Sequence, residues 1–164
     1  MTNILTLRLD PTSQTHFEAL RQQHFPRERN QIPAHLSLFH SLPDTPEITH
    51  TLATVSAREP FPLQVTGLRS LGRGVAFTIA SGDLQTLHAH LSTAFAAHLI
   101  PQDRQRFNPH IVIQNKSTPE RARDLLAHLQ ASFTPMSVQA IGLDLWHYLG
   151  GPWKLAASFA FSTD

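Results

Sequence analysis

Pro33-Ala34-His35-Leu36-Ser37-Leu38-Phe39 and Asn108-Pro109-His110-Ile111-Val112-Ile113-Gln114 each read as an extended strand carrying one histidine. Successive side chains of a strand point to opposite faces. In the first stretch His35, Ser37 and Phe39 therefore share a face opposite Leu36 and Leu38. In the second, His110, Val112 and Gln114 share a face opposite Ile111 and Ile113. Each strand offers one apolar side to a core and holds an imidazole on the other. Two imidazoles brought into one cleft are enough for metal-free acid–base chemistry, because neutral and charged forms of this group coexist near neutral pH.

Outward from these strands the layout repeats. Ile4–Leu9 alternates like a short strand, and Phe17, Leu20 and Phe25 form a helical stripe beginning after Pro11-Thr12-Ser13. The His35 strand is followed by Thr45-Pro46-Glu47, an N-cap candidate with proline at the first helical position, and by Ile48, Leu52 and Val55. Pro62–Leu71 reads as a strand, with Gly72-Arg73-Gly74 turning into the strand Val75–Ala80. The second round has a helix marked by Leu84, Leu87, Leu91 and Phe95, a loop from Pro101 to Pro109 and the His110 strand. Thr118-Pro119-Glu120 then opens a helix carrying Ala122, Leu125, Leu126 and Leu129. Leading strands, histidines and caps recur at offsets of roughly 70–75 residues. Met136–Leu149 and Trp153–Phe161 flank Gly150-Gly151 as a hairpin. The expectation is one domain over 1–164, with approximate repeats 4–71 and 74–149 and a closing strand at 152–161. It is an α+β, bilobal, duplicated fold, in which two mainly antiparallel sheets line a central cleft with helices outside.

Composition removes several function classes. The 164 residues, 41% of them hydrophobic, bury a proper core. With 13 Lys+Arg against 12 Asp+Glu, the chain lacks the broad positive field that drives binding to long nucleic acid. No cysteine is present, which excludes disulfides, thiolate nucleophiles and thiolate metal sites. Neither a secretory leader nor an apolar run long enough for a bilayer is read in the sequence, so a cytoplasmic location is expected. The remaining histidines show no His-Glu-x-x-His run, and His88 and His90 stand two apart in a helical pattern, so surface placement is their default. Neither a metal nor another cofactor is expected.

At these residues the chain resembles the two-histidine phosphoesterase superfamily, which includes bacterial 2′-5′ RNA ligase-like proteins and RNA 2′,3′-cyclic phosphodiesterases. That family carries paired His-x-Thr/Ser-x motifs on two strands of a bilobal α+β fold. His35-Leu36-Ser37-Leu38 fits the motif, and Ile32-Pro33-Ala34-His35, Phe39-His40-Ser41-Leu42-Pro43, Arg106-Phe107-Asn108-Pro109-His110 and Leu145-Trp146-His147-Tyr148 extend the likeness along nearly the whole chain. The second motif departs from it, since Val112 stands where the family has a hydroxyl.

The resemblance implies a metal-independent phosphodiesterase that opens 2′,3′-cyclic phosphates to 2′-phosphates, with 2′-5′ RNA ligation as a reverse capability. His35 and His110 are the expected catalytic pair, His110 as base and His35 as acid. Ser37 would donate to a phosphoryl oxygen, and Arg106 or Lys116 would neutralise phosphate charge. Gln114 and Lys116 are the candidates to replace the donor missing at Val112. Tyr148, Trp146 and Trp153 are candidates to stack on a base, with hairpin packing as the competing role. The implied partners are RNA ends or small cyclic-phosphate nucleotides, with no membrane and no obligate protein partner. The competing readings are a catalytically weakened RNA-end or nucleotide binding module and a phosphodiesterase for another cyclic phosphate.

Overall fold

The protein is described by a computed structural model covering residues 2–164. In chain order its elements are β1 (Thr2–Leu9), α1 (Pro11–His24), β2 (Leu36–Pro43), α2 (Pro46–Val55), β3 (Phe61–Ser70), β4 (Val75–Ala80), α3 (Gly82–Ala94), β5 (His110–Gln114), α4 (Pro119–Ser132), β6 (Met136–His147) and β7 (Lys154–Ala160). Helices α2 and α4 begin where their Thr-Pro-Glu caps place them, and Thr118 accepts a hydrogen bond from the Arg121 amide at 3.2 Å. Thr45 makes no such bond. The first helix starts earlier than expected, at Pro11, because the Asp10 carboxylate caps it through the Ser13 amide at 3.1 Å.

All strand pairs are antiparallel, and β6 joins them. Its first residues, Met136–Ala140, pair with β3, which leads to β4 and β5. Ala140–His147 pair with β1, and Gly142–His147 pair on the other side with β7. The two expected sheets are thus two halves of one continuous seven-stranded sheet, in the order β2-β1-β6-β3-β4-β5 with β7 beside β6. The long strand β6 belongs to both halves, so no break in hydrogen bonding separates them. Gly74 fits β4 tightly to its neighbour, since a Cβ there would run into the Gln114 carbonyl.

Phe17, Phe39 and Phe95 are fully buried in the core, together with leucines and isoleucines from both halves. Burying each such ring stabilises the fold by roughly 1.5–3 kcal/mol.

The end strands β2 and β5 pack against each other without pairing in the ladder. Helix α1 ties them together. Gln14 donates to the Ala34 carbonyl at 2.8 Å, Glu18 accepts from the Ala34 amide at 2.7 Å, and Arg21 donates to the Val112 carbonyl at 3.0 Å. These three side chains lie on one helical stripe. They satisfy backbone groups that the two edges leave unpaired where they meet. Arg21 is only 3% exposed, its guanidinium also donating to Asn30 at 2.9 Å and resting over the Phe25 ring at 4.0 Å.

The alternation expected along both histidine strands breaks at the same place in each. The β1–β2 register steps by one residue between Thr6↔Ser37 and Leu5↔Phe39, and the β4–β5 register steps between Ala76↔Val112 and Val75↔Gln114. Leu38 and Ile113, each the third residue past its histidine, are therefore the extra residues of β-bulges. Phe39 and Gln114, expected on the open face, turn inward, at 0% and 5% exposure.

Candidate active site

Where β2 and β5 meet, a cavity of about 330 Å³ is lined by His35, Ser37, His40, Arg106, His110 and Val112 among others. The two imidazoles are held in the same way. His35 Nδ1 lies 2.8 Å from the Pro33 carbonyl, and His110 Nδ1 lies 2.9 Å from the Asn108 carbonyl. A carbonyl only accepts, so each Nδ1 carries the proton. Each Nε2 is then the nitrogen left to exchange a proton with a ligand. The carbonyl two residues before each histidine is what the extended Pro-Ala-His and Asn-Pro-His backbones present, the prolines favouring extended conformation nearby.

The two rings differ in environment. His35 is packed against the Trp153 ring, 4.7 Å between centroids, and also borders a neighbouring cavity of about 380 Å³ that includes Trp146. Burial pushes its pKa down to about 4, against a raising effect from the Pro33 carbonyl, with the charges of Arg21, His40 and His110 lowering it further.

Of the other residues expected from sequence, Ser37, Arg106 and Val112 line the cavity. Gln114, Lys116 and Tyr148 do not line it. The bulge at Ile113 buries Gln114 and leaves its Oε1 without a partner. Lys116 sits past the strand end in a left-handed turn at φ 57, and Tyr148 is 49% exposed beyond the end of β6. Trp146 donates its indole N–H to Thr6 at 2.9 Å, a packing role in the sheet.

Two further histidines reach the site. The bulge that turns Phe39 inward turns His40 out to the cavity. Its Nδ1 meets the Asp103 carboxylate at 2.8 Å, and the same carboxylate accepts the His40 and Ser41 amides at 2.9 and 3.2 Å. His88 of α3, expected at the surface, is instead 7% exposed, stacked between Phe39 and Phe107 with centroids 4.6 and 3.8 Å away. Its Nε2 bonds the Leu38 carbonyl at 3.1 Å, and burial holds its pKa below the ordinary histidine value. The adjacent large residues Leu38-Phe39 were the available sign of the bulge, since strict alternation would expose one of them. Nothing local marks Asp103 as the partner of His40, a contact made across 63 positions.

Among the described residues no group of three or more histidine, aspartate or glutamate side chains is placed to hold a metal ion. No helix of the described residues is long and apolar enough to cross a membrane.

An antiparallel α+β sheet that brings two carbonyl-anchored imidazoles to one cavity from its two end strands has the architecture of a two-histidine phosphoesterase. The description of the 2′-5′ RNA ligase superfamily matches residues 9–152, and the chain belongs to that family. Membership supports a phosphodiesterase type of activity. No curated protein matches the chain. Among solved structures, TT0787 of Thermus thermophilus superimposes with a TM-score of 0.69 at 16% identity, covering 98% of each chain. LigT of E. coli, solved with 3′-AMP, gives 0.60 at 16% identity over 98% of this chain and 97% of its own. The same protein solved with NADP+ gives 0.57 at 15% identity over 99% and 98%. At these identities the likeness is one of fold.

Proposed function

We propose that the protein opens 2′,3′-cyclic phosphates, on RNA ends or small nucleotides, to 2′-phosphates by metal-independent acid–base catalysis at His35 and His110. The observation that carries this reading is the matched pair of imidazoles, each with Nδ1 tied to the carbonyl two residues back and both lining one cavity. In the forward step one neutral imidazole takes a proton from water as the water oxygen bonds to phosphorus. The bond from phosphorus to O3′ breaks, and the other imidazole, as imidazolium, protonates the departing oxygen. An RNA 5′ hydroxyl in place of water would give a 2′-5′ linkage by the same transfers. That LigT has been solved with 3′-AMP and with NADP+ supports a nucleotide as ligand.

The electrostatics favour exchanging the roles expected from sequence. With its pKa pushed down to about 4, His35 is mostly neutral in the free enzyme near neutral pH, which makes it the poorer proton donor of the two. His35 is therefore the base and His110 the acid. A phosphate anion bound beside His35 raises its pKa toward the range where proton transfer is efficient. A base must be unprotonated to act, so kcat/KM falls only as pH drops through its free-enzyme pKa. Measured against pH on a 2′,3′-cyclic nucleotide, the acidic limb is expected near 4 rather than 6.5. Activity that declines as pH rises from 4 to 6 would instead make His35 the acid.

Val112 favours a second reading, a binding module with weakened turnover, because the oxyanion loses one donor there. Removing one preorganised donor commonly costs ~10²–10³ in rate. Val112→Thr restores a hydroxyl at a half-buried position facing the cavity, and is expected to raise kcat about tenfold or more. Nucleotide binding with no turnover in either form, at any enzyme concentration, would establish the module.

A further inference from the structure

We infer that the end of the cavity formed by His40 and the 3-10 turn Pro101–Arg104 is a second anion subsite, which takes a phosphate other than the one undergoing reaction. The inference rests on the cyclic-phosphate reading and names the kind of substrate that would fill the rest of the cavity. Two histidines suffice for the proton transfers, so the His40–Asp103 pair is surplus to them. Yet it is built with care. The Asp103 side chain is 1% exposed, and its carboxylate receives two backbone amides and the His40 ring, which leaves the imidazole one orientation. Burying a carboxylate is costly unless it is hydrogen-bonded, and here the partners are the His40 ring, which it orients, and the His40 and Ser41 amides, which hold the backbone that carries the ring.

Since the carboxylate takes Nδ1–H, only Nε2 is left for a ligand, and the side chain is 43% exposed. Gln102, Gln105 and Arg106, from the same turn and the residues just after it, line the cavity beside it. They add two amides and a permanent cation, a donor set suited to phosphate oxygens. The cavity volume of about 330 Å³ falls at the lower end of the ~300–1,000 Å³ typical of small-molecule sites, which suits a nucleotide fragment better than a lone phosphodiester. His40 also contributes to lowering the His35 pKa, so the subsite adjoins the reacting centre. The second phosphate is either the 5′-phosphate of a small nucleotide or the internucleotide diester of an RNA end.

Calorimetric titration with three product-like ligands tests this without requiring turnover. The ligands are adenosine 2′-phosphate, adenosine 2′,5′-bisphosphate, and a 3′-5′ adenosine dinucleotide ending in a 2′-phosphate. The wild type is expected to bind at least one of the latter two about tenfold or more tighter than the monophosphate. Whichever gains identifies the source of the phosphate. His40→Ala is expected to shrink that preference below about threefold. Equal affinity for all three ligands in the wild type, or a preference that survives His40→Ala, overturns the subsite. Turnover of adenosine 2′,3′-cyclic phosphate is scored separately. Its absence with the binding preference intact removes the proposed reaction and leaves the subsite standing.

Discussion

Alanine in place of His110 or His35 is expected to lower kcat/KM for a 2′,3′-cyclic nucleotide by ~10²–10⁴-fold, the usual contribution of a positioned general acid or base. Each hydrogen bond of either ring goes to a carbonyl in its own strand segment. The lost activity therefore reports lost proton transfer, and circular dichroism and thermal melting should show a folded protein. His35→Ala also removes a contact with Trp153, so a small change in melting temperature is expected there and not in His110→Ala. The double variant should be little worse than the poorer single one, because residues that act in one proton relay are not additive. Chelator in the assay should change nothing, as the transfers run through imidazoles alone. Full activity in either alanine variant would end the two-histidine proposal. A wild type that binds nucleotide and never turns it over would make the loss unmeasurable and favour the binding module.

The parts of the molecule legible in its sequence are those set by neighbours within a few residues. Thr118-Pro119-Glu120 opens α4 because a hydroxyl, a ring-fixed φ and an acid all favour a helix start locally, and Val75–Ala80 emerges with the expected bounds. The His-x-Ser and His-x-Val segments keep alternation up to their third residue, so His35, Ser37, His110 and Val112 reach the cavity as read. Beyond that point the register is set by β1 and β4, which lie far away in sequence, and one inserted residue in each strand turns the next side chains over, while a second register step in β2 between Phe39 and Leu42 returns Leu42 to the core. Strict alternation therefore puts Gln114 in the site, where the structure buries it, and gives no sign of His40, which faces the cavity. The polar stripe Gln14, Glu18 and Arg21 is hidden for a related reason. On the sequence it is the solvated side of an amphipathic helix, and only the meeting of β2 and β5 gives it backbone groups to bind. The division into two sheets fails on β6, whose 12 residues look like half of a hairpin but are long enough to pair with three partners.

Phe39→Ala is expected to destabilise the fold by ~3–5 kcal/mol, a large share of the ~5–15 kcal/mol that holds a typical domain together. The ring is 0% exposed, stacked nearly parallel on His88 at 5° and edge-on to Phe95 at 78°. Its removal leaves a cavity between β2 and α3 and strips one face from the buried His88. For a domain of this size that loss lowers the melting temperature by roughly 6–20 °C. Phe39→Leu refills most of the volume without the aromatic stack and should lie well short of the alanine value. The comparison also tests the bulge. If β2 kept strict alternation, Phe39 would face the cavity, its truncation would shift the melting temperature by less than about 2 °C, and His40 would point into the core. A full-sized destabilisation in Phe39→Ala together with loss of nucleotide preference in His40→Ala can arise only if one extra residue at Leu38 turns both side chains, the ring inward for stability and the imidazole outward for the ligand.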